Sequence, residues 1–297
     1  MTAVVPRRPT PLATAARRGR GRLAIVPLFA FLAFAFGLPL AAITYAAFQV
    51  RDPATKDVSF GTGNISASLQ DAYLNALRSS VEISATVAVL GVICGTLLAQ
   101  AVVSSGWAWL REPVLTASGV LANFGGVPLA FAWVATLGNA GMLTDLFDLT
   151  EYGWSLYSFT GLTAAYLYFA IPLMVLTITP ALDGLRPQWR EAAQNNGAST
   201  WQFWRHVGIP VLTPSLLGGG VLLFGASFAA HATAAAMLGT GSTVPLITLK
   251  IAAALGGDVL VGQENVAFAM SLDMIVVVAV VMAIYLPLQR RSSRWLA

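Results

Sequence analysis

The stretch DGLRPQWREAAQNNGASTWQFWRHVGIP, residues 183–210, is the longest polar interval between two apolar runs, and its local order is unusually explicit. Pro187 is placed to open a helix, because a first helical residue needs no N–H. Trp189, Ala192 and Ala193 then share a face at i, i+3 and i+4. Gly197 suits the left-handed conformation that ends a helix. Ser199 with Gln202 forms a Ser-x-x-Gln capping box for a second short helix. Trp201, Phe203, Trp204 and Val207 give that helix bulky apolar surface, and Pro210 is expected to stop it. The outcome is a helix-turn-helix knob of the kind that fits a groove on another protein. The bland alternative is an interfacial loop whose tryptophans rest at head-group level.

What flanks the loop is apolar enough to cross a membrane. Of the 297 residues 57% are hydrophobic and 10% charged, against roughly a quarter charged in a soluble domain. Six apolar runs meet the length for crossing hydrocarbon, at 23–50, 72–103, 113–138, 159–182, 215–238 and 264–288. The expected fold is therefore all-α: a polytopic membrane protein with six transmembrane helices and a cytoplasmic helix-turn-helix. The second and fifth runs are rich in Gly, Ala, Ser and Thr, which let backbones approach closely in lipid, so both are expected inside the bundle. Pro39, Pro128, Pro172 and Pro287 mark kinks that neighbouring helices can accommodate. One cysteine, Cys94, excludes an internal disulfide and a thiolate zinc cluster, and it reads as a packing residue.

Charge sets the expected orientation. If both termini are cytoplasmic, the inner segments 1–22, 104–112, 183–214 and 289–297 hold 13 of the 17 basic residues, as the positive-inside rule requires. Asp52, Asp57, Asp71, Asp145, Asp148, Glu151, Asp258 and Glu264 all fall on the outer side. Residues 1–22 are expected to be a disordered basic tail near anionic head groups. The run 23–50 is too long for a cleaved signal and is expected to be retained as the first transmembrane helix. A core of five helices is expected over 70–288, followed by a cytoplasmic tail, 289–297.

The knob also carries a family resemblance. Glu191-Ala192-Ala193, three residues, Gly197, nine residues, Val207, one residue and Ile209-Pro210 resemble the EAA signature of permease subunits in type I ABC importers. Val and Ile stand where the family pattern has Ile and Leu. Asn123-Phe124-Gly125-Gly126-Val127-Pro128-Leu129-Ala130 and Gly138-Asn139-Ala140-Gly141 resemble the third span and outer loop of polyamine-, iron-, thiamine- and phosphonate-type permeases. Phe228-Ala229-Ala230-His231-Ala232-Thr233-Ala234 resembles their fifth span. The resemblance implies a bacterial inner-membrane protein that pairs with a second permease subunit around a central pathway. It implies two copies of a cytoplasmic ATP-binding subunit that receive the EAA loop, and a periplasmic or lipid-anchored solute-binding protein on the outer face. Lipid surrounds the assembly, and no nucleic-acid partner, cofactor or metal is expected. ATP hydrolysis is expected on the partner, since the chain has no GxxxxGK[ST] loop.

Two rival classes deserve a test. A proton- or ion-coupled secondary transporter would use an intramembrane carboxylate, and Asp273 is the candidate. An interhelical hydrogen bond is the simpler role for it, and the sequence shows no repeat of broken spans. An intramembrane hydrolase would use Ser227 and His231, four residues apart and expected on one helix face. Both residue types are also ordinary interhelical hydrogen-bonders. His206 sits in the knob, across the membrane from His231, which argues against a histidine metal site. Asn123, Ser227, His231, Thr233 and Asp273 are the candidate polar residues of a pathway. The acidic outer segments would suit a cationic solute, but they follow equally from the charge asymmetry.

Overall fold

The computed structural model describes residues 26–51, 57–239, 244–256 and 264–293. The basic tail 1–22 lies outside the described residues, as do Asp52, Lys56, Asp258 and Arg294. Within them the chain is helical apart from one short hairpin, and six helices are long and apolar enough to cross a membrane.

Helix α1 (Val26–Ala47) passes through a π turn at Ala33–Gly37 and leaves Phe29, Phe31, Phe34 and Phe36 exposed. A helix this apolar with this little protein cover is a lipid-facing helix. It ends earlier than the apolar run. Gln49–Arg51 (β1) instead pairs antiparallel with Val58–Phe60 (β2), a hairpin absent from the sequence reading. Asn64 on α2 (Gly63–Ser68) caps this junction by donating to the carbonyls of Ala47 and Gln49. Asn265 donates to Gln49 as well.

The core follows. Helix α3 (Asp71–Ser105) is 35 residues long, about 50 Å at 1.5 Å per residue. Next come α4 (Ala108–Asn123), α5 (Val127–Leu137), the short α6 (Met142–Leu146) and α7 (Phe159–Asp183). The knob begins with α8 (Pro187–Asn195) and leads into α9 (Thr200–Phe228). Helices α10 (Ala232–Leu238), α11 (Ile247–Leu255) and α12 (Glu264–Ser293) complete the chain.

Helix α7 is the centre of the bundle. Ala165, Ala170, Met174, Val175 and Ile178 on it are fully covered. It is more buried than α3 and α9, which carry the small residues and were expected to be the interior pair. Those small residues form the sockets and α7 supplies the knobs. A Cβ on Gly95 of α3 would sit 2.5 Å from Met174 Cβ, and one on Gly219 of α9 would sit 2.6 Å from Met174 Sδ. Three helices thus meet at one methionine through two glycines, which is how close packing replaces hydrophobic drive in lipid. Cys94, next to this contact, points outward and is exposed instead of packed.

Two spans expected to be continuous are broken. The run 113–138 is split into α4 and α5 at Phe124-Gly125-Gly126, and 215–238 is split between α9 and α10 at Ala229-Ala230-His231. Helix α12 continues through the expected boundary at 288 as far as Ser293. Helix α11, between the fifth and sixth spans, was not anticipated.

Candidate functional site: the loop knob and the paired helix breaks

At one end of the bundle stands the 183–210 loop. Pro187 occupies the first turn of α8, and Gly197 has φ +75°. Ala198 N–H donates to the Ala193 carbonyl and Gly197 N–H to that of Gln194, both at 2.9 Å. This is the paired 6→1 and 5→2 closure of a Schellman motif. The capping box is complete as well. Ser199 N–H donates to Gln202 Oε1 at 2.7 Å, and Gln202 N–H donates back to Ser199 Oγ at 3.2 Å. No residue of α8 is buried, and Glu191 and Ala192 are exposed. The segment bearing Glu191, Ala192 and Ala193 therefore stands clear of its own chain, with Arg186 over the Trp189 ring.

The second half of the loop departs from expectation. Pro210 does not end a short helix. Helix α9 runs unbroken from Thr200 through a π turn at Trp204–Gly208 into the membrane segment. The wider turn absorbs the N–H that Pro210 lacks, with Ile209 N–H donating to the Trp204 carbonyl. Gly208 is required there, since a Cβ would lie 2.4 Å from Trp204 Cε3. The three aromatics part company. Phe203 is buried edge-on against Trp204, Trp204 covers Gly208, and only Trp201 stands out in solvent. Val207 is half-buried, and Ile209 is exposed. Asp183, where α7 ends, pairs with Arg111 of α4 beside the loop.

The opposite half of the bundle holds the two breaks, and they meet. Gly126 has φ +76° and ψ −148°, a region closed to residues with a Cβ. Its N–H donates to Thr233 Oγ1 at 2.9 Å, and Thr233 is buried. Across the second break, the buried Tyr166 hydroxyl donates to the Ala230 carbonyl at 3.0 Å. Backbone freed from a helix at membrane depth must find such partners or line a wet cavity. Here a side chain from α10 serves one break and a side chain from α7 serves the other.

The remaining candidates separate. Asn123 is exposed at the end of α4 and donates to the Gly119 carbonyl. Ser227 is buried, and its Oγ has no partner. It lines a void of about 10 Å³ beside Ser80, Ser84 and Tyr166. His231 lies past the end of α9 in a different cavity of about 300 Å³. The shared helix face expected of Ser227 and His231 does not exist, because the helix ends between them. That removes the geometric basis of a serine–histidine pair. Asp273 is half-buried on α12 against Ser68 of α2, with Oδ2 unpartnered among the described residues. It ties α12 to the short α2 and stands apart from both breaks. Sequence reasoning did not single out Gly126 and Tyr166 as the residues that bond at the breaks. The Gly125-Gly126 pair before Pro128 was the available signal for the first, and nothing local marks the second.

A bundle of six apolar helices, with an exposed amphipathic loop at one end and broken helices at the other, is the architecture of a transport permease. The chain belongs to the family of binding-protein-dependent transport system inner membrane components, which matches residues 127–294, more than half its length. Among curated relatives it is 38% identical over 68 residues to the sulfate transport system permease protein CysT of Escherichia coli, covering 23% of this chain and 24% of that one. It is 31% identical over 154 residues to the osmoprotectant import permease protein OsmW of Salmonella typhimurium, covering 52% of this chain and 60% of the relative. The chain thus spans less than two thirds of the length of either. Its fold resembles a bacterial ABC transporter chain involved in import of the acidic polysaccharide alginate, with a TM-score of 0.72 and 18% identity over 95% of this chain and 99% of that one.

Proposed function

We propose that this chain is the transmembrane permease subunit of an ATP-driven solute importer in the bacterial inner membrane. It forms half of the translocation pathway, with both termini in the cytoplasm. The observation that carries the reading is the knob. Helix α8 has no buried residue and presents the exposed side chains of Glu191 and Ala192 beside the half-buried Ala193, and two closed capping motifs hold the loop in shape. A preorganised, uncovered helix of this kind is built for a groove elsewhere. The groove belongs to a cytoplasmic ATP-binding subunit, present in two copies, and a second permease completes the pathway. A solute-binding protein delivers from the other side. A structural neighbour is described as an alginate transporter in complex with a substrate-bound periplasmic protein, which supports the last partner.

Coupling follows from continuity. Helix α9 joins the knob at Thr200 to the break after Phe228. Movement of the knob reaches the break along one helix, and there Thr233, Gly126 and Tyr166 hold the alternative backbone partners. Asn123, Ser227 and His231 flank the same region, which makes the paired breaks the gate of the pathway. The relatives' names span sulfate and osmoprotectants, so they leave the solute class open. The test is purification of the tagged chain from its native membrane. We expect a second permease and two ATPase copies to accompany it. A preparation containing this polypeptide alone that transports solute would refute the assignment.

A further inference from the structure

The cavity at His231 has a chemistry that the transport reading does not use. It measures about 300 Å³ and lies between the break, α10 and α11, at the end of the bundle opposite the knob. Its walls are mostly small or aliphatic, including Ala235, Val244, Leu249 and Ala252. Two side chains break that pattern, and both are hydrogen-bond donors of the basic class: His231 from the helix break and Lys250 from α11. Among the described residues no carboxylate lines the cavity. The His231 Nδ1 is buried without a partner. Lys250 is half-buried and takes no part in either ion pair found among the described residues, Arg78–Glu82 or Arg111–Asp183.

An ammonium drawn into an apolar wall loses hydration and is stabilised again only by a counter-charge or hydrogen-bond acceptors. Among the described residues no ion pair supplies that counter-charge to Lys250. Low-dielectric walls also concentrate the field of the single charge into the cavity. The volume falls at the lower bound of ligand pockets, suited to a small solute or to one charged end of a larger one. Asp145, Asp148, Glu151 and Glu264 lie on the outer segments and outside the described lining of the cavity, so the basic pair stands out from the acidic charge of those segments. That is opposite in sign to the cationic solute the outer acids alone would suggest.

We propose that this cavity binds the anionic group of a ligand, an oxyanion or carboxylate, with Lys250 supplying the charge and His231 a hydrogen bond. Taking the ligand to be the transported solute rests on the permease reading. An anionic lipid head group offers the same chemistry.

The charge of the site can be read without knowing the ligand. In the full-length chain carrying Cys94→Ser, Ala235→Cys places a thiol in the cavity wall, and Ala252→Cys is an independent second reporter. Each is reacted in phosphatidylcholine nanodiscs with an anionic and a cationic methanethiosulfonate of similar size. The anionic reagent is expected to react faster. Lys250→Gln should lower the anion-to-cation rate ratio by about tenfold, from the loss of one nearby charge after screening, while Lys250→Arg should preserve it. Sodium sulfate, against sodium chloride at equal ionic strength, should slow labelling in the parent and not in Lys250→Gln. If adding phosphatidylglycerol to the discs gives the same slowing without sulfate, the anion is a head group; if not, it is a free solute. A ratio unchanged by Lys250→Gln at both reporters, or no protection by either sulfate or the anionic lipid, overturns the proposal. The experiment needs no partner subunit, so its failure would leave the permease assignment, which rests on copurification, untouched.

Discussion

Thr233→Val asks whether the paired breaks are held by the bond that joins them. Valine keeps the shape of threonine and removes only the hydroxyl. The Thr233 side chain is buried, and its Oγ1 accepts the Gly126 N–H at 2.9 Å. That N–H lies outside any helix, in backbone that only glycine adopts readily. An unsatisfied buried donor costs about 1–3 kcal/mol in water-soluble proteins. Interhelical side-chain bonds in lipid average about 0.6 and reach about 1.7 kcal/mol, because alternative partners are found. A backbone donor fixed at a break has fewer alternatives than a side chain, so a loss of about 1–2 kcal/mol is expected. That corresponds to roughly a 5- to 30-fold change in the folded-to-unfolded ratio. The assay is denaturing-detergent unfolding of the full-length chain from lipid bicelles, with Thr233→Ser as the rescue. Serine keeps the acceptor and should recover most of the loss. A valine variant within about 0.3 kcal/mol of the parent, or a serine variant as weak as valine, would show that the bond does not hold the breaks together.

Three further outcomes concern the knob and the orientation. Gly197 has φ +75° and open space where a Cβ would point. Gly197→Ala therefore meets only the left-handed penalty of about 1–2 kcal/mol, and Gly197→Asn less. Gly197→Leu adds bulk on the docking side. Substrate-stimulated ATP hydrolysis in reconstituted vesicles should fall in the order Asn, Ala, Leu if the knob enters a cleft, and equal losses in Ala and Leu would leave strain as the whole cause. Glu191→Lys, an exposed charge reversal, should weaken ATPase pull-down by roughly a thousandfold, since like-charge contacts at an interface cost several kcal/mol; Gln194→Ala should be silent, and normal coupling in Glu191→Lys would make the loop an interfacial anchor. Reporter fusions after Ala297 and near Asp148 should read cytoplasmic and external, and the reverse at either site would overturn the arginine-based topology.

The capping chemistry of the loop was legible residue by residue because it is local. Pro187, Gly197, Ser199 and Gln202 act within four residues of themselves, so their spacing carries their geometry. The number of spans was legible because hydrocarbon thickness sets a length that hydropathy reports, while the third and fifth run Val127–Leu146 and Thr200–Phe228 in place of the expected 113–138 and 215–238. The breaks were not, and the reason is physical. Phe124-Gly125-Gly126 and Ala229-Ala230-His231 sit within apolar runs, and only the Gly125-Gly126 pair before Pro128 differs locally from the helices around it. What stops the helix is Thr233 reaching Gly126 and Tyr166 reaching Ala230, separations of 107 and 64 residues that no window along the chain contains. The position of α7 at the centre was hidden for a related reason. Small residues mark a surface that another helix approaches closely, and that surface can belong to either the socket or the interior. Met174 between Gly95 and Gly219 shows that here it belongs to the socket.

The error at Pro210 changes the mechanics. A proline that stopped the second knob helix would leave a joint between the loop and the fifth span, and motion of the knob would be lost there. The π turn at Trp204–Gly208 removes the joint, and the packing around it resists reopening. Phe203 is buried against Trp204, and Trp204 lies on Gly208 where no Cβ fits. Helix α9 is thus continuous from Thr200 to Phe228, with Pro214 inside it. Past its far end lies the break, where the Ala230 carbonyl is held by a tyrosine hydroxyl instead of a helical N–H. Under the proposed function, a displacement of the knob would be carried along α9 toward the residues whose bonding has an alternative. On that reading, the capped loop that docks and the broken span that gates the pathway are joined by one helix.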